Sequence, residues 1–350
     1  MLAFLIALLL AAPAQAAPPW SEPVNASTDL FAVRYVPPQL SGDVSRPVLY
    51  GATRAVVTVL DGTRLSVAFG RTDGTFGAPQ RIATRTGIGS VQIAANANGD
   101  IAVAWFEDRG VSNDRVYVAF RPSGKPFTPP ILQATDRVRS VSIAVSPTGG
   151  LLLAYDARGV VKTRYKRAGA PLFGRVQALE SEPTLHARLR TAMTANGRAY
   201  VAWAADGFYQ AAVRTVGSGR FRAAQLLEQG APTGGLDLVI DDSNRATVAW
   251  GATTVRAAVT DASATFGAAQ DIAPGAEGAL ASTPDGRRLV AWTSGGALLA
   301  ALAPASGPFG APETVTPTAD APYAAFDATG NRWWLVSGTT TPQASQRPAT

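Results

Sequence analysis

The residues able to do chemistry in this 350-residue chain are mainly arginines and carboxylates in short charged stretches. FEDRG (106–110), NDR (113–115), TDRVR (135–139), DARG (156–159), ESEP (180–183) and HARLR (186–190) contrast with bland segments such as GATT (251–254) and TSGG (293–296). A guanidinium presents paired N–H donors and keeps its charge at any physiological pH. Arg109, Arg137, Arg139, Arg158, Arg188 and Arg190 therefore suit recognition of a carboxylate or sulfate, with Glu107 and Asp156 as ligand-binding candidates beside them. The plainer reading of the same residues is that neighbouring arginines and acids neutralise one another on a solvated rim.

Other chemistry finds less material. The one histidine is His186 and there is no cysteine, so a zinc site has no ligand set. DLVIDDSNR (237–245) and AANANGD (94–100) are rich in Asp and Asn but lack the spacing and distal Glu of a calcium loop, and Asn or Asp beside a turn serves turn geometry. No GxSxG surrounds any serine. Glycoside hydrolysis needs two carboxylates facing one another across a sugar, and the loop acids available for that are Glu107, Asp108, Asp156, Glu180, Glu182 and Asp206. We expect neither a catalytic set nor a metal, and quinone or haem cofactors have no support in the sequence.

The elements that must position these residues are written as a repeat. NGDIAVAW (98–105), TGGLLLAY (148–155), NGRAYVAW (196–203), SNRATVAW (243–250) and DGRRLVAW (285–292) each place a turn residue six positions before the end of a strand. The same rule finds TRAVVTV (53–59) and GNRWWLV (330–336), so seven copies recur every 42–50 residues. Ile101, Val103 and Trp105 share one face of a strand, and Gly or Asn at the turn suits the positive φ of a tight hairpin. The Ala before each aromatic (104, 154, 202, 249, 291) is small enough to let a neighbouring unit approach while the aromatic fills the gap. Repeated in register, these aromatics read as core and not as ligand platforms. An aromatic with Gly or Pro nearby follows each hairpin: FGAP (76–79), FTPP (127–130), FGRV (173–176), FRAA (221–224), FGAA (266–269) and FGAP (309–312). Each opens an outer strand.

A period of 40–50 residues built from short strands and turns predicts propeller blades. The expected fold is all-β, a single seven-bladed β-propeller over 17–350, with blades near 46–83, 87–135, 138–179, 184–228, 234–273, 276–316, and 320–348 plus 18–26. PWSEP (19–23) matches PFGAP (308–312), so the N-terminal stretch is expected to supply the outer strand that completes the last blade and removes open edges. Segment 27–45 is read as a connector. Six blades, with 46–83 and 320–337 sharing one, is the alternative.

MLAFLIALLLAAPAQA (1–16) reads as a secretory signal peptide ending in a small-x-small site, and no second stretch is long enough to span a bilayer. Without cysteine, an exported chain must be held by packing alone. The net charge is +6 with 28 Arg to 3 Lys, but no basic run with interleaved aromatics appears, so nucleic acid is not an expected partner.

The pattern NG…VAW…R…G.FG.PQ resembles the sialidase-like propeller superfamily and related secreted bacterial β-propeller repeat proteins. That resemblance implies the fold, and it would imply a glycosidase site only if the activity motifs matched. VRYVP (33–37) offers Arg34 for the family's motif arginine, with Tyr35 and Val36 intervening before Pro37; STPDGRRLVAW (282–292) has the letters of the family's turn motif at different spacing. The expected function is an exported, monomeric, non-catalytic propeller binding a glycan or an extracellular protein. The rival is a sialidase-like hydrolase or lyase with a degenerate site.

Overall fold

A computed structural model of the protein describes residues 24–25, 43–44, 48–50, 54–71, 76–110, 113–180, 186–205, 207–230, 234–251, 253–316, 323–326, 332–337 and 343–348. Among the described residues there are 29 strands and no helix. β1 (Val24–Asn25) is followed by β2 (Asp43–Val44), β3 (Val48–Tyr50), β4 (Arg54–Asp61), β5 (Arg64–Arg71) and β6 (Gln80–Thr84). Next come β7 (Ile88–Ala95), β8 (Ile101–Glu107), β9 (Asp114–Arg121) and β10 (Ile131–Asp136), then β11 (Val138–Val145), β12 (Leu151–Ala157), β13 (Val160–Lys166) and β14 (Gln177–Ala178). β15 (His186–Met193), β16 (Ala199–Ala205), β17 (Phe208–Arg214) and β18 (Gln225–Gln229) precede β19 (Gly235–Ile240), β20 (Ala246–Gly251), β21 (Thr254–Val259) and β22 (Gln270–Pro274). The chain continues through β23 (Ala276–Ser282), β24 (Arg288–Ser294), β25 (Ala297–Ala303) and β26 (Glu313–Thr316) to β27 (Tyr323–Phe326), β28 (Arg332–Ser337) and β29 (Gln343–Pro348).

Every pairing among these strands is antiparallel. They form six four-stranded sheets and one five-stranded sheet, in which β2 and β3 both pair with β4. Asp43–Val44 thus belongs to a sheet, although the sequence reading left it in a connector. The last sheet runs β1-β29-β28-β27, with Val24 opposite Ala344. The inner strands β7, β11, β15, β19, β23 and β27 pack in succession, each against the next. This radial stacking of meanders is β-propeller architecture.

The phrase that repeats in the sequence is the inner hairpin and its second strand. The turn is closed by a polar side chain at its first position: Asn96 Oδ1 accepts from Asp100 N at 3.0 Å, Ser146 Oγ from Gly150 N at 2.8 Å, and Asp241 Oδ1 from Arg245 N at 3.0 Å. The fourth position takes positive φ, as in Gly149 (85°), where a Cβ would stand 2.9 Å from the Asp100 carboxylate. Asn96 and Asp241 therefore serve turn geometry, as the sequence suggested.

Both faces of the second strands β8, β12, β16, β20 and β24 are buried, because each of their sheets is sandwiched between two others. Trp105, Trp203, Trp250 and Trp292 are fully buried. Ala104 packs in the cluster containing Tyr155, Ala154 with Trp203, Ala202 with Trp250, and Ala249 with Trp292. The small residue of one sheet thus receives the aromatic of the next, and the close approach excludes water from both.

Two further stitches recur between sheets. Gln177, Gln225 and Gln270, four residues after a landmark Phe, each clasp the backbone of the next landmark. Their Nε2 groups donate to the carbonyls of Phe221, Phe266 and Phe309 at 3.0, 2.7 and 2.8 Å, and their Oε1 atoms accept from the same residues' N–H at 2.8, 3.0 and 2.8 Å. Cations at the ends of third strands lie over aromatics of the preceding sheet: Arg121 over Phe69 (4.7 Å), Lys166 over Phe120 (4.9 Å) and Arg214 over Tyr165 (4.0 Å).

Candidate functional site

The hairpin turns lie at one end of the sheets. The charged stretches lie at the other, where second strands leave and fourth strands cross to the next sheet. Their backbone is held by acids that point inward. Asp114, 5% exposed at the start of β9, accepts from Arg109 N at 3.0 Å and from Val138 N at 2.8 Å. One carboxylate thereby fixes the β8–β9 loop and the beginning of β11 in the neighbouring sheet. The Asp108 N–H donates to the Gly87 carbonyl at 2.7 Å and its carboxylate accepts from Gly110 N at 2.9 Å.

Glu107 and Asp156 are fully buried. Glu107 ion-pairs with Arg85 at 3.1 Å and with Arg109 at 3.2 Å, and Asp156 accepts from Gly159 N at 2.8 Å in the β12–β13 turn. Glu180 accepts from the indole N–H of Trp203 at 2.6 Å and from Val161 N at 3.2 Å. Three of the six loop carboxylates are thus occupied as internal acceptors. Asp108 is exposed, and Glu182 and Asp206 lie outside the described residues.

Arg158 sits at φ 56° in that turn, beside Gly159 at 77°, which gives the two-residue hairpin its twist. Its N–H donates to the Arg137 carbonyl at 2.9 Å and its guanidinium pairs with Asp136 at 2.5 Å. Lys162 reaches the other Asp136 oxygen at 3.1 Å. Burial pulls the Asp136 carboxyl upward, but hydrogen bonds from Arg158, the Arg137 N–H and Lys162 outweigh it and hold the pKa below the usual carboxylate value.

Arg137 and Arg139 are exposed, and their guanidinium groups have no carboxylate partner among the described residues. Arg139 falls inside a β-bulge, where the β11–β12 register shifts between Val138 and Val141. Matching shifts occur in β7 (Gly89/Gln92), β15 (His186/Arg188) and β23 (Ala276/Ala279). Bulges turn side chains away from the sheet, and these four share one end of the inner strands. On β15, adjacent to β11, Arg188 and Arg190 are half-buried; Arg190 faces Asp237 at 3.6 Å, and Asp237 also accepts from Leu280 N at 3.0 Å.

Of the eight candidate residues, then, Arg109, Arg137, Arg139 and Arg158 are exposed, Arg188 and Arg190 stand on the next inner strand, and Glu107 and Asp156 are internal. Asp114, Asp136 and Lys162, which position them, were not singled out from sequence, although Asp114 and Asp136 lie in the charged stretches NDR and TDRVR. The arrangement presents guanidinium donors to solvent; it does not present a facing pair of free carboxylates among the described residues. No group of three or more His, Cys, Asp or Glu side chains is gathered for a metal among them. Of the residues resembling sialidase motifs, 33–37 lie outside the described residues. Thr283, Asp285 and Gly286 form an inner hairpin turn at the opposite end, with Thr283 Oγ1 donating to Asp285.

No family model matches the chain, and no curated protein matches it in sequence. Solved structures do. A structure described as YCF48 bound to D1 peptide is similar with a TM-score of 0.51 at 13% identity, over 97% of this chain and 99% of that one. The Hadza microbial sialidase Hz136 is similar with a TM-score of 0.51 at 9% identity, over 91% of this chain and 68% of its own. The likeness is one of fold, to sialidase-like and other β-propellers.

Proposed function

We propose that the chain is an exported, monomeric, seven-bladed propeller that binds an anionic glycan, or an acidic patch on an extracellular protein, without turning it over. The observation that carries this reading is the set of arginines at two adjacent inner strands: Arg137 just before β11 and Arg139 on it, both exposed with no carboxylate on their guanidinium groups among the described residues, and Arg188 and Arg190 on β15. A carboxylate or sulfate is the ligand chemistry that such donors complement. The burial of Glu107 and Asp156, and the engagement of Glu180 by the Trp203 indole, favour binding over glycoside hydrolysis. Seven blades are favoured because β2–β6 and β27–β29 with β1 are separate sheets. Export rests on the leader-like residues 1–16. No helix of the described residues is long and apolar enough to cross a membrane.

The test is thermal unfolding in the presence of acidic, sulfated and neutral oligosaccharides. A ligand at a hundred times its dissociation constant stabilises by about 2.7 kcal/mol. The expected result is a shift confined to anionic sugars, or to an acidic protein partner, and lost when Arg137, Arg139, Arg188 and Arg190 become Ala. A shift that survives those changes, or one equal for neutral sugars, overturns the reading.

A further inference from the structure

The hairpin-turn end, opposite the arginines, carries a second feature. Between the sheets of β7–β10 and β11–β14 a cavity of about 540 Å³ opens at the rim. Three of the six large apolar side chains exposed among the described residues line it: Ile131 (39% exposed), Leu132 (47%) and Leu172 (69%). Its floor is Val118 and Leu151, both buried.

The opening has a cause in the repeat. Position four after the landmark Phe is Gln177, Gln225 or Gln270 where sheets are clasped, but it is Ile131 after Phe127. Isoleucine has no amide to close onto Phe173, the landmark of the next sheet, which instead lines the cavity. By the repeat, the Phe173 N–H and C=O face the groove in the way those of Phe221, Phe266 and Phe309 face their glutamines.

The polar groups around the groove are unbalanced. Lys125, Arg164 and Lys166 line it against a single acid, Asp100. The Asp100 carboxylate is already engaged, by Asn96 Nδ2 at 2.8 Å and Ser123 N at 2.8 Å. The Lys166 ammonium has the Phe120 ring at 4.9 Å and no ion pair among the described residues. Gln133 is 7% exposed and lines the same wall; its Nε2 donates to the Ile131 carbonyl at 3.3 Å, while its Oε1 is buried with no hydrogen-bond partner among the described residues. A buried unpaired acceptor is unusual in a native fold and calls for a donor.

We propose that this groove binds an apolar N-acyl α-amino carboxylate. The carboxylate meets the cations and the Phe173 N–H, the amide N–H supplies Gln133, and the apolar side chain covers Ile131, Leu132 and Leu172. That chemistry occurs both in free N-acyl amino acids and at the C-terminus of a peptide ending in an apolar residue. The volume is that of a small-ligand pocket.

The experiment titrates the full chain calorimetrically with N-acetyl-phenylalanine and with an acetylated pentapeptide ending in Phe, each against its C-terminal amide. The free acids are expected to bind saturably and the amides about tenfold more weakly. Ile131→Gln, which restores the clasp onto Phe173, abolishes binding while the melting temperature is maintained or raised. Lys166→Met weakens the acids without weakening the amides. Arg139→Ala, at the far end, changes nothing here, which separates this site from the anion-binding face. A peptide that binds more tightly than the amino acid identifies a chain terminus as the source; equal affinity identifies the free molecule. Equal binding of acid and amide, undiminished binding by Ile131→Gln, or no saturable binding of either probe overturns the proposal.

Discussion

Gln225 and Phe266, in adjacent sheets, are joined by two hydrogen bonds: Gln225 Nε2 donates to the Phe266 carbonyl at 2.7 Å, and Oε1 accepts from the Phe266 N–H at 3.0 Å. A side-chain amide here imitates one rung of a β-ladder between two sheets whose strands do not pair. Gln225→Ala leaves both backbone groups without a protein partner and is expected to cost about 1–3 kcal/mol in denaturant unfolding. Gln225→Glu keeps an acceptor, loses the donor and sets a carboxylate against a carbonyl, so it should cost at least as much. A glutamate variant as stable as the parent would contradict the two-bond account.

Glu180 and Glu228 each accept from a buried indole, Trp203 at 2.6 Å and Trp250 at 2.5 Å. Glu180→Ala should cost about 1–3 kcal/mol by stranding that N–H, and should alter the near-ultraviolet dichroism of Trp203. Alanine holds the matching position at 83 and 273, and there the indoles of Trp105 and Trp292 have no hydrogen-bond partner among the described residues. Ala273→Glu is expected to stabilise by up to about 1 kcal/mol if its carboxylate reaches Trp292. Destabilisation with an unchanged tryptophan signal would show that it does not.

Asp114→Ala tests positioning at the arginine face. It removes the acceptor for both Arg109 N and Val138 N, a loss of roughly 1.5–3 kcal/mol at a charged hydrogen bond. It should also weaken anion binding, because the β8–β9 loop and the start of β11 are released together. A purely structural role would lower the melting temperature and leave the dissociation constant of the folded protein unchanged.

Two groups set expected pH limits. Asp136 has a folded pKa below the ordinary carboxylate value of 3.8, so its contribution is present above that value and lost as pH falls through the lowered one. Asp136→Asn should flatten acid unfolding in that window. Burial raises Tyr155 from 10 to about 12, so folding is opposed increasingly as pH climbs from 10 toward about 12, where the unfolded state ionises first. Tyr155→Phe should remove that part of the alkaline transition, followed by tyrosinate absorbance.

Much of this fold is legible because each repeat needs the same local solutions: a turn at Gly99 or Asn244, an Ala opposite a Trp, a Phe before an outer strand. The glutamine clasp was written in the sequence too, as Phe and Gln four apart, but its meaning depends on a partner about 40 residues away. Glu107 and Asp156 read as surface acids because charge in a loop usually faces water; here the loops fold back over them and supply Arg85, Arg109 and Gly159 as partners. The apolar groove was invisible for the complementary reason. It arises from a missing glutamine at 131, and an absence becomes visible only against the clasps that the other sheets make.

The pairing of β1 with β29 gives folding a schedule. Apart from β1, each sheet is assembled from strands contiguous in sequence, so sheets can complete one after another as the ribosome delivers them. The final sheet obeys a different clock, because Val24 and Asn25 have no partner until Ala344 and Gln343 exist. Joining ends so far apart adds little to the closure entropy, which grows only logarithmically with loop length. The burden is delay rather than stability: throughout synthesis an early strand stays adhesive, and a chain cut short near its end lacks β29, the strand that pairs with it.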